Sequence, residues 1–296
     1  MIPDSPKLSS TAWQRELQAR SPLPGQSLPR HAVTAAKLPK LESAGGRVEA
    51  AACIEPRTGF ALGASAVLAA VVALAMIVTI YGALIAVAFF VAEHFARRRA
   101  RTILNGSTLR VGPQQFPELH ECLRTFAQRL GMAEVPELYV VDAGEVNGFA
   151  LRLGRKNGIF LTDEAVAACL EGRSGGALSF VIGHELAHIA LGHHTWWRST
   201  LSKLHWLSRL DECSADNVAC ELVGSNEAAE DGVLLLVAGP RLLSFVDRAA
   251  ARAQAAEVAG DRLTRRVERK MTHPLTMHRL HRVARRFAPP PMRKVA

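Results

Sequence analysis

The stretch FVIGHELAHIAL, residues 180–191, decides how the chain is read. His184 and His188 are four positions apart, so on an α-helix both imidazoles project from one face, about one turn apart. Two neutral imidazole nitrogens at that spacing suit a tetrahedral zinc ion. Glu185 lies about 100° round the helix, where it can reach a metal-bound water without ligating the metal. Zinc lowers the pKa of such a water towards ~7, and a neighbouring carboxylate can take its proton as it attacks a carbonyl. The flanks, Phe180 to Gly183 and Ile189 to Leu191, are apolar apart from Gly183, which strengthens electrostatics at the site. The plainer reading is a pair of core histidines beside a capping glutamate.

A third ligand is legible further along. In LDECSAD, residues 210–216, Glu212 and Asp216 are again an i, i+4 pair on one helical face. Two carboxylates on a helix otherwise rich in apolar residues need a reason to be there. A Glu that completes a His₂Glu set, with an Asp hydrogen-bonded to a ligand imidazole, supplies both reasons. The alternative is a solvated acidic edge of an amphipathic helix. The first reading gives one zinc ion per chain, held by His184, His188 and Glu212, with Asp216 behind them.

Working outward, the pattern is α+β and mostly helical. Residues 117–130 place Leu119, Leu123, Phe126 and Leu130 at helical spacing, with Gly131 as a stop. Residues 137–141, 148–153 and 158–161 are short β-prone runs separated by turn residues, which suggests a small antiparallel sheet. From Asp163 onward the periodicity is helical, and residues 102–288 read as one domain with 289–296 as a basic tail. Residues 1–58, rich in Pro, Ser, Ala and Gly, read as a disordered N-terminal segment.

Between these lies an apolar run. From Phe60 to Ala92 no residue is charged, a run longer than the roughly 20 residues that cross a bilayer. Residues 59–96 therefore read as a transmembrane segment, best as one tilted helix, with a re-entrant pair turning near Tyr81 and Gly82 as the weaker option. Arg97, Arg98, Arg99 and Arg101 follow the run, while Arg47 and Arg57 precede it. The positive-inside rule then puts the larger domain on the cytoplasmic side of the inner (cytoplasmic) membrane. Five cysteines without CxxC spacing agree with a reducing compartment.

The formal charge of +9 is concentrated at the C-terminal end, where residues 241–296 hold 14 Lys and Arg against 4 Asp and Glu. The sequence lacks the aromatic and glycine patterns of common nucleic-acid modules, so no nucleic-acid partner is expected. Anionic membrane lipid, or plain solvent, accounts for the charge instead.

Taken together, the blocks resemble the M48 family of zinc metallopeptidases, which includes the HtpX heat-shock, Ste24 CAAX-type and Oma1-like proteases. Besides His184-Glu185-x-x-His188 and Glu212-x-x-Ala215-Asp216, Asn147-Gly148-Phe149-Ala150 is similar to the family's Asn-Ala-Phe-Ala strand. Thr272-His273-Pro274 with Arg279-Leu280 resembles its late His-Pro…Arg block. The resemblance implies a zincin (gluzincin) domain, a peptidase with Glu185 as general base, Glu212 as third ligand and Asp216 orienting a ligand imidazole. It also implies that His273 or Arg279 stabilises the oxyanion. The strand Asn147, Gly148, Phe149 and Ala150 would bind an extended polypeptide substrate by edge pairing. Gly148, where the family has Ala, suggests a looser strand. Residues 195–210 are too short and too polar for the further membrane helices of HtpX-like members.

Other residues weigh less. His193 and His194 read as an outward pair just past the helix end, with metal ligation as the rival. Trp196, Trp197 and Trp206 suit a membrane surface, a cleft wall or the core equally. Cys213 reads as a packing residue. The expected activity is a membrane-anchored zinc endopeptidase acting on unfolded or membrane-associated polypeptides; the rival is a zinc-stabilised scaffold without catalysis. The sequence sets no oligomeric state.

Overall fold

The computed structural model describes residues 43–144, 147–153, 156–170, 175–195, 198, 201 and 204–287. The calls made on residues 1–42 and 289–296 lie outside these, as do Trp196 and Trp197. The architecture is α+β and mostly helical, with one small sheet.

The centre of the domain is helix α5 (Gly175–Ala190), which carries the HELAH segment. From Gly175 through Ala187 every residue is buried, and only the last turn reaches solvent, at His188 in part and at Ala190. A helix apolar nearly all round must be enclosed, and the enclosing elements are identifiable. On one side lie α3 (Pro117–Arg129) and the sheet; on the other lie α6 (His205–Val223) and α7 (Asn226–Leu243). Gly183 sets the closeness of α6. A Cβ there would stand 3.3 Å from Leu222 Cδ1 and 3.4 Å from Ala219 Cα, so glycine lets the two helices meet where Glu212 must approach the histidines.

The sheet holds β1 (Leu109–Arg110), β2 (Glu137–Val141), β3 (Gly148–Leu153) and β4 (Lys156–Thr162) in the order β1-β2-β4-β3. It is mixed rather than antiparallel as expected: β3 and β4 form an antiparallel hairpin, but β4, its second strand, joins β2 in parallel. Period-2 alternation sends Leu138, Val140, Ile159 and Leu161 into the core with Phe126, Leu178 and Ile182. On the opposite face Tyr139, Phe160 and Phe149 stack ring on ring across three strands, with centroids 5.0 Å apart at each step. The order leaves β3 at an edge.

Helix α7 has a kink at Gly239, where φ is +68°, ahead of Pro240. Helices α4 (Asp163–Leu170), α8 (Arg248–Gly260), α9 (Arg262–Glu268) and α10 (Thr276–Arg286) complete the domain, with α10 packed on α7 and α8. Asp247 caps α8 and Asp261 caps α9, each accepting two backbone N–H bonds.

Two expectations about the N-terminal portion are corrected. First, residues 43–57 are ordered, as a strap across the domain. Ala44 N donates to Leu222 O and Val48 N to Arg129 O, while Arg129 donates to the carbonyls of Gly46 and Glu221. Farther on, Glu55 N donates to Ser214 Oγ, and the Glu55 carboxylate is paired with both Asn217 and Arg282. Side-chain and carbonyl partners on α3, α6 and α10 supply the order that composition alone does not predict.

Second, the apolar run is two helices, α1 (Thr58–Ile77) and α2 (Ile80–Ser107). The break is at Val78 and Thr79, not at Tyr81 and Gly82. Thr79 takes an extended conformation and its Oγ1 accepts the Gly82 N–H at 3.1 Å, an N-cap inside a run of β-branched residues. Among the described residues one helix, α1, is long and apolar enough to cross a membrane, with mean hydropathy 2.5. Both helices expose large side chains, Val71, Leu74, Ile77, Leu84, Ile85 and Phe90 among them. The strap fixes the start of α1 on the domain, where Ala61 and Leu62 pack against Leu201, Leu207 and Leu210. The end of α2 runs into β1, which pairs with β2. Both ends of the apolar pair therefore meet the same domain.

Candidate metal centre and its cleft

Helices α5 and α6 bring His184, His188 and Glu212 together, with ligand atoms all within 4.8 Å of one another. His184 Nε2 lies 3.1 Å from His188 Nε2 and 3.4 Å from Glu212 Oε2, and His188 Nε2 lies 3.6 Å from Glu212 Oε1. Tetrahedral zinc with bonds of about 2.0–2.1 Å requires ligand atoms about 3.4 Å apart. The three separations bracket that value. The donor set thus fits zinc in both chemistry and spacing.

Each imidazole is held from behind by its other nitrogen. His184 Nδ1 is 2.9 Å from Asp216 Oδ1, and Asp216 is itself gripped by Arg279 through bonds of 2.9 and 2.6 Å. Asp216 and Arg279 are both buried. His188 Nδ1 is 2.9 Å from His193 Nδ1, His193 Nε2 is 3.5 Å from Asp211 Oδ1, and Arg198 donates to Asp211 at 2.6 Å. With Nε2 of His188 turned to the metal position, Nδ1 carries the hydrogen and donates to His193, whose Nε2 in turn faces the Asp211 carboxylate. The two ligand histidines thus have parallel supports, each ending in an aspartate–arginine pair.

His193 corrects the outward reading. It is buried, because Gly192, at φ +70°, turns the chain back after α5 so that His193 N bonds His188 O at 2.9 Å. That left-handed glycine just past the helix was the available signal. Asp211 and Arg198 carried none, since one was overshadowed by Glu212 and the other sits between tryptophans.

Electrostatics follow the same layout. Burial pushes the Glu185 carboxyl up to about 7. Burial disfavours the protonated form of His184, but hydrogen bonds to Asp216 and Glu212 outweigh it and carry the group up to about 10 without metal. Burial lowers His188 to about 4 and opposes ionisation of Asp216, which Arg279 nevertheless holds down at about 2. Burial raises the Cys213 thiol to about 12, in keeping with a packing residue.

A cleft of about 330 Å³ opens over the three ligands, lined also by Glu185, His273 and the strand residues Asn147 to Ala150. His273 is largely exposed, and its Nδ1 is 3.1 Å from Glu212 Oε1. Gly148 is tightly placed, not loose: a Cβ would stand 3.3 Å from Glu185 Cγ and 3.2 Å from Val181 Cγ1. An added Cβ would make these neighbours give by a few tenths of an ångström, so glycine eases the close approach of β3 to α5. Among the described residues β3 pairs with β4 alone, so its outer edge faces the cleft, where the Gly148 N–H is held by Asn147 Oδ1 at 2.8 Å.

Comparison with known proteins agrees with this geometry. Residues 113–205 match the family described as Peptidase family M48, and residues 161–296 match that described as Peptidase U49. The two overlap on residues 161–205, which include α5. A Protease HtpX homolog of Thermodesulfovibrio yellowstonii is 34% identical over 79 residues, 27% of this chain and 27% of that protein. The match thus spans about a quarter of the relative's length. No solved structure matches the chain.

Proposed function

We propose that this chain, an M48-family peptidase, is a membrane-anchored zinc endopeptidase that cleaves unfolded or membrane-associated polypeptides. The observation that carries the reading is the set of ligand-atom separations of 3.1, 3.4 and 3.6 Å beneath a cleft walled by a free strand edge. His184, His188 and Glu212 would hold the metal. Zinc in such a set supplies Lewis acidity and an activated water. Glu185 accepts a proton from the nucleophilic water on a carboxylate oxygen and delivers it to the leaving amine nitrogen. An extended substrate pairs with the backbone of Gly148 to Ala150, which fixes the scissile bond with little demand on sequence. Asp216 and His193 hold the ligand imidazoles in tautomer and orientation. Arg279, committed to Asp216 by two bonds, acts as the charge partner of that carboxylate, which leaves His273 at the cleft mouth as the donor towards the oxyanion.

The exposed apolar surfaces of α1 and α2 support the anchor, and the shared domain at both their ends supports a hairpin rather than a single crossing. All six flanking arginines then lie on the side of the catalytic domain, which favours the cytoplasmic face of the inner membrane. Metal analysis of the purified full chain, paired with casein hydrolysis by Glu185→Gln, tests the activity. Bound zinc with no loss of hydrolysis in Glu185→Gln would remove Glu185 from the mechanism. Bound zinc with no hydrolysis in the unmodified chain would favour the idle scaffold.

A further inference from the structure

The segment from α9 to the loop before His273 has an outward surface that the peptidase reading leaves unused. Arg262, Arg265, Arg266, Arg269 and Lys270 are all exposed or partly so. Its acidic groups are turned to internal work: Asp261 caps the helix, and Glu268 binds Leu275 N and His278 Nδ1. Beside the cations lie Leu263 and Val267, one helical turn apart and 65% and 49% exposed, followed by Met271 at 38%. An exposed apolar pair within a ring of cations is the composition of an interfacial helix.

Its position gives the surface an orientation. Arg209 Nη1 donates to the carbonyls of Arg269 and Met271 at 2.9 and 2.8 Å, so the C-terminal end of α9 is clamped to the first turns of α6. Those same turns carry Leu207 and Leu210, which pack on Ala61 and Leu62 at the base of α1. Trp206, 37% exposed, precedes Leu207 on the same turn and suits the water–lipid boundary. The basic surface is therefore continuous with the point at which the apolar helix leaves the domain.

We infer that α9 and Met271 form an anionic-lipid docking face, lying on the headgroups beside the root of α1, with Leu263 and Val267 reaching below them. This rests on the membrane-anchored reading above and adds to it the face that meets the bilayer. Charge complementarity and continuity with the anchor select lipid over other polyanions. Because Thr272 alone separates Met271 from His273, docking would also fix the height of the cleft mouth above the bilayer.

The test uses the full chain carrying an environment-sensitive fluorophore on Leu263→Cys, in nanodiscs of phosphatidylcholine with or without phosphatidylglycerol. Quenching by brominated acyl chains is read for each composition. Recovery of the chain in the disc fraction reports the anchor separately, and neither readout depends on zinc or proteolysis. The expected result is at least twofold stronger quenching in anionic discs, lost when Arg262, Arg266 and Lys270 are each changed to Glu. No quenching in either lipid would overturn the docking face while leaving the anchor intact. Equal quenching in both would overturn the role of anionic headgroups. A probe response to single-stranded RNA in neutral discs as large as that to anionic lipid would overturn lipid as the occupant.

Discussion

His193 Nδ1 stands 2.9 Å from the Nδ1 of His188, on the side of that imidazole away from the metal position. The neighbour therefore fixes which nitrogen of His188 faces the metal position, and the chain His188–His193–Asp211–Arg198 is a positioning relay rather than a second metal site. Loss of such a support weakens metal binding by about 10–100-fold. His193→Ala should do so in a chelator competition, with its circular dichroism unchanged. Undiminished zinc affinity would reduce His193 to packing.

Roles within the site separate by metal content. Glu185→Gln should keep one zinc per chain and lose peptide hydrolysis, since a base is removed and no ligand is. Glu212→Ala should lose the metal, because two imidazoles alone hold zinc poorly. Full zinc occupancy and activity in purified Glu212→Ala would place the third ligand elsewhere.

The buried Asp216–Arg279 pair should show in the acid stability of the zinc-free protein. Burial opposes ionisation of Asp216, yet Arg279 and His184 hold its folded pKa at about 2, below the ordinary 3.8. A depressed carboxylate contributes stability above its unfolded pKa and loses it as pH falls through the folded value, here between about pH 4 and pH 2. The difference corresponds to about 2 kcal/mol. Urea unfolding between pH 5 and pH 2 should show this decline, and Asp216→Asn should flatten it. An unchanged slope would exclude Asp216 as its source.

Helices α5 and α6 were legible because their chemistry has a period: His184 with His188 and Glu212 with Asp216 are each one turn apart. Helix α3 was legible from Leu119, Leu123 and Phe126 for the same reason. What escaped was set by contacts distant in sequence. The strap's Ala-rich composition carries no sign of Arg129 or Arg282, which lie 83 and 227 residues from their strap partners Gly46 and Glu55. The parallel pairing of β2 with β4 depends on which strand of a hairpin is inserted, and local alternation is the same either way. At Thr79 the cap competes with an apolar run that hides it.

Gly148 should resist enlargement. Val181, Glu185 and Leu161 would each lie within 3.2–3.3 Å of an added Cβ, so a branched side chain must push β3 away from α5. Overpacking of this kind costs about 1–3 kcal/mol. Gly148→Val should lower kcat/KM for casein while zinc content stays at that of the unmodified chain, since no ligand sits on β3. A variant as active as the original would show that the strand's distance from Glu185 does not matter to turnover.

The topology of the apolar pair gives the last prediction. The strap binds Leu222, Arg129 and Ser214 before α1 begins, and β1 joins the sheet directly after α2 ends. Neither flank can lie across a bilayer from the domain without breaking those bonds. At 1.5 Å per residue, α1 is about 30 Å long and the apolar portion of α2, Ile80 to Ala96, about 26 Å. Each approaches the thickness of a hydrocarbon core. The turn at Val78 and Thr79 should therefore emerge on the opposite face. Single cysteines at Gly45, Gln254 and Ile80, all exposed positions, in otherwise cysteine-free full chains can be probed with an impermeant thiol reagent on intact cells and on inverted vesicles. Gly45→Cys and Gln254→Cys should react together from one side, and Ile80→Cys from the other. Reaction of Gly45→Cys from the face opposite Gln254→Cys would restore a single crossing and contradict the strap.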